Sequence, residues 1–338
     1  MKTFQITQPG CTRIIDSPKP QITPSQVLLK ICYVGFCGSD LNTFRGLNPL
    51  VKMPIIPGHE IGAVVDEVGA DVPSFIKPGM NATVNPYTNC GHCPACDNGR
   101  QNACENNETF GVQRNGAMTE YIAVPWEKVI PDNAISVRDF ALVEPMSVGF
   151  HAVSRAQVTD NDTVLVFGCG MIGVGAIVRA ALRGARVIAV DVDNEKLALA
   201  QRIGATYVIN SATENLRERV MQITGNRGAD AVIEAVGRPE TYTAAIDCVA
   251  FTGRVTYIGY AKADVAFNTS LFVKKELDIR GSRNATPADF KAVMEYLKRG
   301  TCPLNEFISE ICTPDTAQTA LENWLAAPAK VFRILVKF

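Results

Sequence analysis

The feature that most constrains the fold is a regular alternation of short apolar runs and helical patterns from Thr163 onwards. Five runs have the length and composition of buried strands: TVLVF, ARVIAV, TYVIN, DAVIEAV and GRVTYIG. The helical segments between them mostly stop at a glycine, as at Gly184, Gly204 and Gly225. This alternation predicts an α/β fold with a parallel, doubly wound sheet, which LDIRGS near Leu277 extends.

The first part of the chain has a different pattern. Its β-rich pieces, separated by proline and glycine, predict an antiparallel or barrel-like region: QVLLKICYVGFC, EIGAVVDEVG, MNATVNP and MTEYIAVP. The C-terminal run FRILVKF predicts a strand that returns to this region. Because 338 residues suggest two domains, we predict a β-rich domain of residues 1–149 and 285–338 and an α/β domain of residues 150–284.

Charge and hydropathy exclude several classes of partner. Lys and Arg (33) nearly balance Asp and Glu (34), so no net field attracts nucleic acid or an anionic membrane. The uncharged stretch from Val164 to Val178 is shorter than the roughly 20 residues that a bilayer span requires. Since MKTFQITQPG lacks the apolar core of a secretory signal, we predict a cytoplasmic protein with no nucleic-acid or membrane partner.

A cysteine-rich loop, residues 89–104 with the sequence NCGHCPACDNGRQNAC, indicates a structural metal site. Four thiolates satisfy a tetrahedral zinc ion completely, so no position remains for a substrate. In a reducing compartment, clustered thiols are typical of metal ligands rather than disulfides, and a redox pair needs two cysteines rather than four. We predict structural zinc on Cys90, Cys93, Cys96 and Cys104, with His92 exposed.

The motif FGCGMIG follows a predicted strand and opens a predicted helix, which is the context of a dinucleotide-binding turn. Backbone N–H groups at such a helix start face a pyrophosphate, and the missing glycine side chains permit its close approach. The predicted cofactor residues of this turn are Gly168, Gly170, Met171, Ile172 and Gly173.

The next predicted strand ends at Asp191, where a carboxylate would accept hydrogen bonds from the adenosine ribose and repel a 2′-phosphate. This position favours NAD over NADP. Asp193 is better explained as the N-cap of the following helix.

A catalytic metal needs mixed ligands and a vacant position. Candidate ligands are spread over three segments: GFCGSD contributes Cys37, PGHEIG contributes His59 and Glu60, and VEPMSVGFHA contributes Glu144. Each of them has an ordinary structural explanation when it is considered alone. Their conjunction in one chain favours a second metal site.

The order of GFCGSD, PGHEIGAVVDEVG, the four-cysteine loop, EPMSVGFHA, VLVFGCGMIG and VIAVDV resembles the zinc-dependent medium-chain dehydrogenases, particularly the sorbitol dehydrogenase-like branch. The resemblance spans nearly the whole chain. It implies a discontinuous GroES-like catalytic domain together with a Rossmann domain, two zinc ions per chain, and hydride transfer between an alcohol and NAD.

The resemblance also implies roles for single residues. Cys37, His59 and Glu144 match ligands of a catalytic zinc, and Glu60 matches a position that binds or leaves the metal; the two glutamates are not ranked. Asp40 is expected to hydrogen-bond His59. Ser39 matches a hydroxyl that passes the alcohol proton towards the cofactor ribose.

One position departs from the family pattern. Many relatives carry a histidine three residues after that serine, where this chain has Asn42, which cannot act as a general base near neutral pH. We predict that the proton leaves through water or through the ribose.

The substrate implied by the resemblance is a polyol or a sugar acid of the galactonate or idonate type. The stretch GSRNATPADF offers Arg283 and Asn284, and an arginine can clamp a carboxylate. The alternative for Arg283 is a bond to cofactor or backbone only. Phe44 is a further substrate-contact candidate, with its neighbours Thr43 and Arg45.

Rival functions are a threonine or other hydroxy-acid dehydrogenase of the same fold, a non-catalytic NAD-binding protein, and a zinc-loop nucleic-acid binder. Acidic residues around the loop offset its basic ones and disfavour the last: Asp97, Glu105 and Glu108 against Arg100 and Arg114. We also predict a homodimer or homotetramer, with GRVTYIG as an edge strand that can pair between subunits.

Overall fold

The computed structural model describes all residues from Met1 to Phe338. Its strands are β1 Lys2–Gln8, β2 Cys11–Asp16, β3 Gln26–Phe36, β4 Glu60–Val68, β5 Asn81–Val84, β6 Tyr121–Pro125, β7 Val129–Pro131, β8 Thr163–Phe167, β9 Arg186–Asp191, β10 Tyr207–Asn210, β11 Ala229–Glu234, β12 Val249–Tyr257, β13 Asp278–Gly281, β14 Glu310–Cys312 and β15 Ile334–Lys337. Its α-helices are α1 Gly38–Phe44, α2 Pro94–Asp97, α3 Val137–Phe140, α4 Val143–Arg155, α5 Met171–Leu182, α6 Asn194–Arg202, α7 Leu216–Ile223, α8 Pro239–Cys248, α9 Ser270–Lys274, α10 Pro287–Leu297 and α11 Ala317–Ala326.

The chain divides into two compact units. The first contains residues 1–144 and 294–338, and the second contains residues 145–293. The domain boundaries proposed from the sequence, 149/150 and 284/285, stay a prediction. None of the helices is long and apolar enough to cross a membrane.

The second unit confirms the predicted Rossmann architecture. Its six strands are all parallel, in the order β10-β9-β8-β11-β12-β13, so the strand order reverses between β8 and β11. Every residue of β8 is buried, as expected for a strand that helices cover on both faces. Gly184, Gly204 and Gly225 follow α5, α6 and α7 with positive φ angles of 86°, 126° and 61°, which confirms their role in ending those helices.

One prediction about this sheet is wrong. Residues 253–257 of the run GRVTYIG form the end of β12, which pairs with β11 on one side and with β13 on the other, so the run is not an edge strand. The short strand β13 lies at that edge of the sheet. This strand lies in the run LDIRGS, which confirms the prediction that this run extends the sheet.

The first unit is β-rich, as predicted. A seven-stranded sheet has the order β14-β15-β3-β4-β5-β7, and β6 pairs with β3. The tail strand β15 pairs antiparallel to β3, which confirms that the C-terminus returns to the first domain. The core of this unit forms around the long strand β3, whose Leu29, Ile31, Val34 and Phe36 are almost fully buried. The sheet therefore gives the end of β3 and the start of β4 a rigid support.

Candidate functional site

Metal-ligating side chains meet where β3 ends and β4 begins. The sulfur of Cys37, a ring nitrogen of His59 and a carboxylate oxygen of Glu60 all lie within 4.8 Å of one another. Cys37 is the N-cap residue of α1, directly after β3, and Glu60 is the first residue of β4. Antiparallel pairing places Glu60 opposite Gly35, so the sheet register brings these distant parts of the chain together.

Gly35 makes room for the glutamate. A Cβ atom at this position would lie 2.1 Å from Oε2 of Glu60, which is closer than any real contact. A side chain at residue 35 would therefore displace the Glu60 carboxylate from the cluster.

The buried polar atoms of the cluster test whether a metal ion fits there. His59 Nδ1 and both carboxylate oxygens of Glu60 are buried without a hydrogen-bond partner, and the same holds for Oγ of Ser39, two residues after Cys37. Buried polar groups are nearly always paired, because an unpaired group loses its hydrogen bonds to water and gains none in the protein. Sulfur, imidazole nitrogen and carboxylate oxygen are the ligand types that zinc takes in open, catalytic sites. The donor set therefore fits zinc.

The charges in this cluster favour a deprotonated cysteine. Burial raises the pKa of the Cys37 thiol, but the hydrogen bond and the charge of His59 outweigh burial and bring that pKa below its usual value. A thiolate is the form of cysteine that binds metal. Burial raises the pKa of Glu60 well above the usual range, and the charge of Arg333 opposes this effect.

Arg333 is a functional neighbour that the sequence did not reveal. Its Nε lies 3.2 Å from Oε2 of Glu60, an ion pair without the geometry of a hydrogen bond, and its Nη1 donates to the carbonyl oxygen of Phe36 at 2.6 Å. Arg333 directly precedes β15, and the pairing of β15 with β3 carries it to the cluster. No local motif marks an arginine so far away in the sequence.

The predicted hydrogen bond between His59 and Asp40 is not formed. Asp40 instead accepts the backbone N–H of Cys37 at 2.8 Å and caps helix α1, while its Oδ1 and His59 Nδ1 have no hydrogen-bond partner. The Asp40 carboxylate bonds to the start of the helix because it lies in the first turn, close to unpaired backbone donors. Burial lowers the pKa of the His59 imidazole, but the hydrogen bond and charge of Cys37 outweigh burial and raise this pKa well above its usual value, and the charge of Asp40 adds to the rise.

Glu144 has a different partner from Glu60. It is not in the cluster of Cys37, His59 and Glu60; Tyr87, which follows β5, donates its hydroxyl hydrogen bond to Oε1 of Glu144. Both side chains are buried, and burial together with the charge of Glu144 raises the pKa of Tyr87 well above its usual value. Sequence reasoning missed Tyr87 because a tyrosine before the cysteine loop has no distinctive spacing.

The four-cysteine loop has the geometry of a closed metal site. The sulfur of Cys93 lies 3.5 Å from that of Cys96 and 3.8 Å from that of Cys104, which lies 3.6 Å from the sulfur of Cys90. Four sulfurs at the usual zinc–sulfur distance are about 3.8 Å apart. A backbone hydrogen bond from His92 lowers the pKa of Cys90 to about 6. The side chain of His92 is exposed, as predicted.

The glycine-rich turn of the second unit joins β8 to α5. Gly168 has a positive φ of 88°, and a Cβ on Gly173 would lie 1.7 Å from the carbonyl oxygen of Gly168, so both positions need glycine. Gly170 is the N-cap of α5, and Met171 and Ile172 form its first turn, whose N–H groups carry the positive end of the helix dipole.

Asp191, the last residue of β9, is held by this turn. Its Oδ2 accepts the N–H of Cys169 at 2.7 Å, and its Oδ1 accepts those of Val192 and Asp193 at 2.8 and 3.1 Å. Asp193 caps α6 by accepting from two backbone N–H groups, which confirms the N-cap prediction.

The substrate candidates lie in different environments. Arg283 and Asn284 follow β13 in the second unit and are half-buried, with Asn284 in the left-handed region at a φ of 55°. Phe44, in contrast, is 2% exposed and belongs to the core of the first unit. Helix α1 turns this ring inwards, which favours a packing role for Phe44; a substrate contact at this position stays a prediction.

Comparison with known proteins gives the family. Residues 23–134 match the alcohol dehydrogenase GroES-like domain, and residues 172–299 match the zinc-binding dehydrogenase family. The sorbitol dehydrogenase of Bacillus subtilis is 31% identical over 327 residues, covering 94% of this chain and 92% of that protein. The chain belongs to the zinc-type alcohol dehydrogenase family. It is thus an oxidoreductase, as the sequence predicted.

The names of other relatives of this dehydrogenase describe enzymes that act on sugar derivatives. The L-galactonate-5-dehydrogenase of Escherichia coli is 33% identical over 276 residues, or 82% of this chain and 81% of that one. The crystal structure of galactitol-1-phosphate dehydrogenase from Escherichia coli superposes with a TM-score of 0.92 at 28% identity and covers 100% of both chains. These similarities confirm the combination of a GroES-like domain and a Rossmann sheet.

Proposed function

We propose that this dehydrogenase oxidises a secondary alcohol of a polyol or sugar acid, with NAD as the hydride acceptor. The observation that carries the proposal is the cluster of Cys37, His59 and Glu60, whose sulfur, nitrogen and oxygen donors are three in number and leave one tetrahedral position for a substrate oxygen. The names of the sorbitol and galactonate relatives support the substrate class.

The residues that would hold the catalytic zinc are Cys37, His59 and Glu60, with Glu144 as the alternative carboxylate. Zinc, when bound, acts as a Lewis acid that makes an alcohol hydroxyl more acidic and so eases loss of hydride from its carbon. Arg333 balances the charge of Glu60, and the hydroxyl of Tyr87 donates a hydrogen bond to Oε1 of Glu144. The two glutamates thus have separate partners, which supports Glu60 as the resident ligand.

Ser39 would take the proton that the alcohol loses. Its hydroxyl is buried and has no hydrogen-bond partner, so both its donor and acceptor capacity are available to a substrate. Asn42, one turn later in α1, cannot carry the proton further. The proton therefore leaves through water or the cofactor ribose.

The cofactor site of the second unit suits NAD. NAD, when bound, accepts a hydride at its nicotinamide ring. The first turn of α5 offers N–H groups to the pyrophosphate, and three backbone N–H groups fix the carboxylate of Asp191 at the end of β9. A fixed negative charge there binds ribose hydroxyls and repels a 2′-phosphate.

The chain would hold a second zinc in the cysteine loop, where it stabilises the fold and takes no part in the reaction. We further propose a cytoplasmic homodimer or homotetramer. The edge strand β13, with Ile279 at 42% exposed, offers a pairing surface. Size-exclusion chromatography with light scattering tests the subunit number.

The substrate proposal is tested by a panel of polyols, aldonates, polyol phosphates and hydroxy amino acids, each assayed with NAD and with NADP. We expect NADH formation from members of the first three groups and little reduction of NADP. Turnover confined to threonine or another hydroxy amino acid would replace the proposed substrate class with the rival one.

A further inference from the structure

Two cations of the first unit lie half-buried without a counter-ion. Arg114 and Lys128 form no ion pair, and Nε of Arg114 is buried without a hydrogen-bond partner. Removing a charge from water is costly unless an opposite charge compensates it.

The two cations lie close enough to affect each other. Burial lowers the pKa of Lys128, and the positive charge of Arg114 lowers it further. The carboxylates that oppose them, Glu108 beside Arg114 and Glu127 beside Lys128, are both exposed and beyond ion-pair distance. The positive charge of this region is consequently left without a carboxylate at ion-pair distance.

The guanidinium group of Arg114 is oriented by an aromatic ring in a way that suits anion binding. This group stacks over the ring of Phe110, 4.0 Å from the ring centroid. Stacking fixes the plane of the guanidinium and leaves the N–H groups at its edge to donate two parallel hydrogen bonds. Carboxylates and phosphates are the ligands that match this fork.

The turn that carries Arg114 packs against the segment that leads to the metal cluster. Gly116 donates to Ile56 O at 2.7 Å and Ala117 donates to Gly58 O at 2.9 Å, one residue before His59. A Cβ on Gly111 would lie 2.4 Å from the nitrogen of Gly58, so the two backbone segments can approach each other this closely only with glycine at residue 111.

Lys128 is connected through Tyr87 to Glu144, the alternative carboxylate ligand. Its Nζ donates to the carbonyl oxygen of Tyr87 at 2.7 Å, and the hydroxyl of the same tyrosine bonds to Glu144. Lys128 is thus one tyrosine residue away from a candidate metal ligand.

We propose that Arg114 and Lys128 form an anion-binding site that holds the carboxylate or phosphate group of the substrate, away from its reacting carbon. The inference rests on the proposed function and narrows it, because it assigns an anionic sugar derivative rather than a neutral polyol as the preferred substrate. It also moves the anion contact from Arg283, which the sequence suggested, to the first unit.

The test measures binding and turnover in parallel. Zinc-loaded wild-type protein and the variants Arg114→Met, Arg114→Lys, Lys128→Met, Arg283→Met and Arg299→Met are titrated by calorimetry with a hexonate, a hexitol phosphate and a hexitol. Methionine keeps the apolar stem over Phe110 and removes the charge. Arg299 is exposed, so its variant controls for loss of one positive charge in the same unit.

We expect Arg114→Met to weaken binding of one anionic ligand by about tenfold or more, Arg114→Lys and Lys128→Met to weaken it less, and Arg299→Met to leave it unchanged. Binding of the neutral hexitol should change by less than about twofold. If Arg114→Met weakens binding of the hexonate only, the substrate carries a carboxylate. If it weakens binding of the hexitol phosphate only, the substrate carries a phosphate.

The inference is overturned if neither anion binds the wild type more tightly than about 10 mM, if Arg114→Met affects the neutral and anionic ligands equally, or if only Arg283→Met affects the anions. Anion binding that depends on Arg114 without oxidation of any alcohol would instead refute the proposed function and leave this site standing.

Discussion

At the scale of single residues, two glutamates compete for one role. Glu60 lies within 4.8 Å of Cys37 and His59 and is balanced by Arg333, whereas Glu144 is held by Tyr87. The sequence predicts both as ligands and could not rank them, because the ranking depends on partners from strands far away in the chain. The cluster itself was predictable, since its segments carry recognisable residues.

We therefore predict that Glu60→Gln loses the catalytic zinc and Glu144→Gln keeps it. An amide is a much weaker zinc ligand than a carboxylate, so Glu60→Gln should hold about one zinc per chain and Glu144→Gln about two. Atomic emission spectroscopy on dialysed protein measures the ratio. The reverse pattern would make Glu144 the resident ligand.

A second residue-scale prediction concerns Asn42. If the proton leaves through water or the ribose, then Asn42→His should change the turnover number at pH 6–7 by less than about twofold. Steady-state kinetics over that pH range gives the answer. A large rise in turnover would show that the native relay is incomplete at this position.

At the scale of elements, periodicity predicted the long strands and helices well. The buried runs of β8 and β9 and the glycines after α5, α6 and α7 are strong signals because parallel strands are apolar throughout and helix ends need a left-handed residue. The edge assignment failed because the sequence predicts the strand β13 but not its pairing with β12. Pairing partners of that kind are set by tertiary contacts, which the sequence does not display.

One contact between two helices gives a pH-dependent prediction. His151 of α4 lies 2.9 Å from Oδ2 of Asp289 in α10, which also accepts two hydrogen bonds from Thr286. Burial raises the pKa of Asp289, but the hydrogen bonds of His151 and Thr286 outweigh burial and lower it. A lowered folded-state pKa means that this carboxylate stabilises the fold above its unfolded pKa and stops doing so as pH falls through the folded value.

Accordingly, Asp289→Asn should reduce the free energy of unfolding at pH 7 by about 1–3 kcal/mol, and the difference from wild type should shrink below about pH 4. Urea unfolding at both pH values measures this, with Asp278→Asn as the control because its side chain is 62% exposed. A deficit that stays the same at both pH values would contradict the charge-based explanation.

At the scale of the whole molecule, the division into two compact units separates a metal cluster and a dinucleotide turn into different parts of the chain. The sequence predicted both features, because each depends on a local motif. It did not predict Arg114, Lys128 or Tyr87 as a neighbourhood, since three loops with no common pattern supply them.

The cysteine loop should contribute to stability alone. We expect Cys93→Ser to lose about one zinc per chain and to lower the melting temperature by several degrees, since structural zinc sites contribute folding free energy. Cys11→Ser is the matched control outside both metal clusters. Retention of full stability without the loop zinc would contradict the structural role.

The central claim is that an open site built from Cys37, His59 and a glutamate drives alcohol oxidation. Its most direct test is stepwise return of zinc to metal-free protein while NADH formation from a sugar-derived alcohol is recorded. We predict little NADH until the second equivalent of zinc is bound, and none in Cys37→Ala at any zinc concentration. Full activity in Cys37→Ala, or in protein with zinc in the cysteine loop only, would contradict the account.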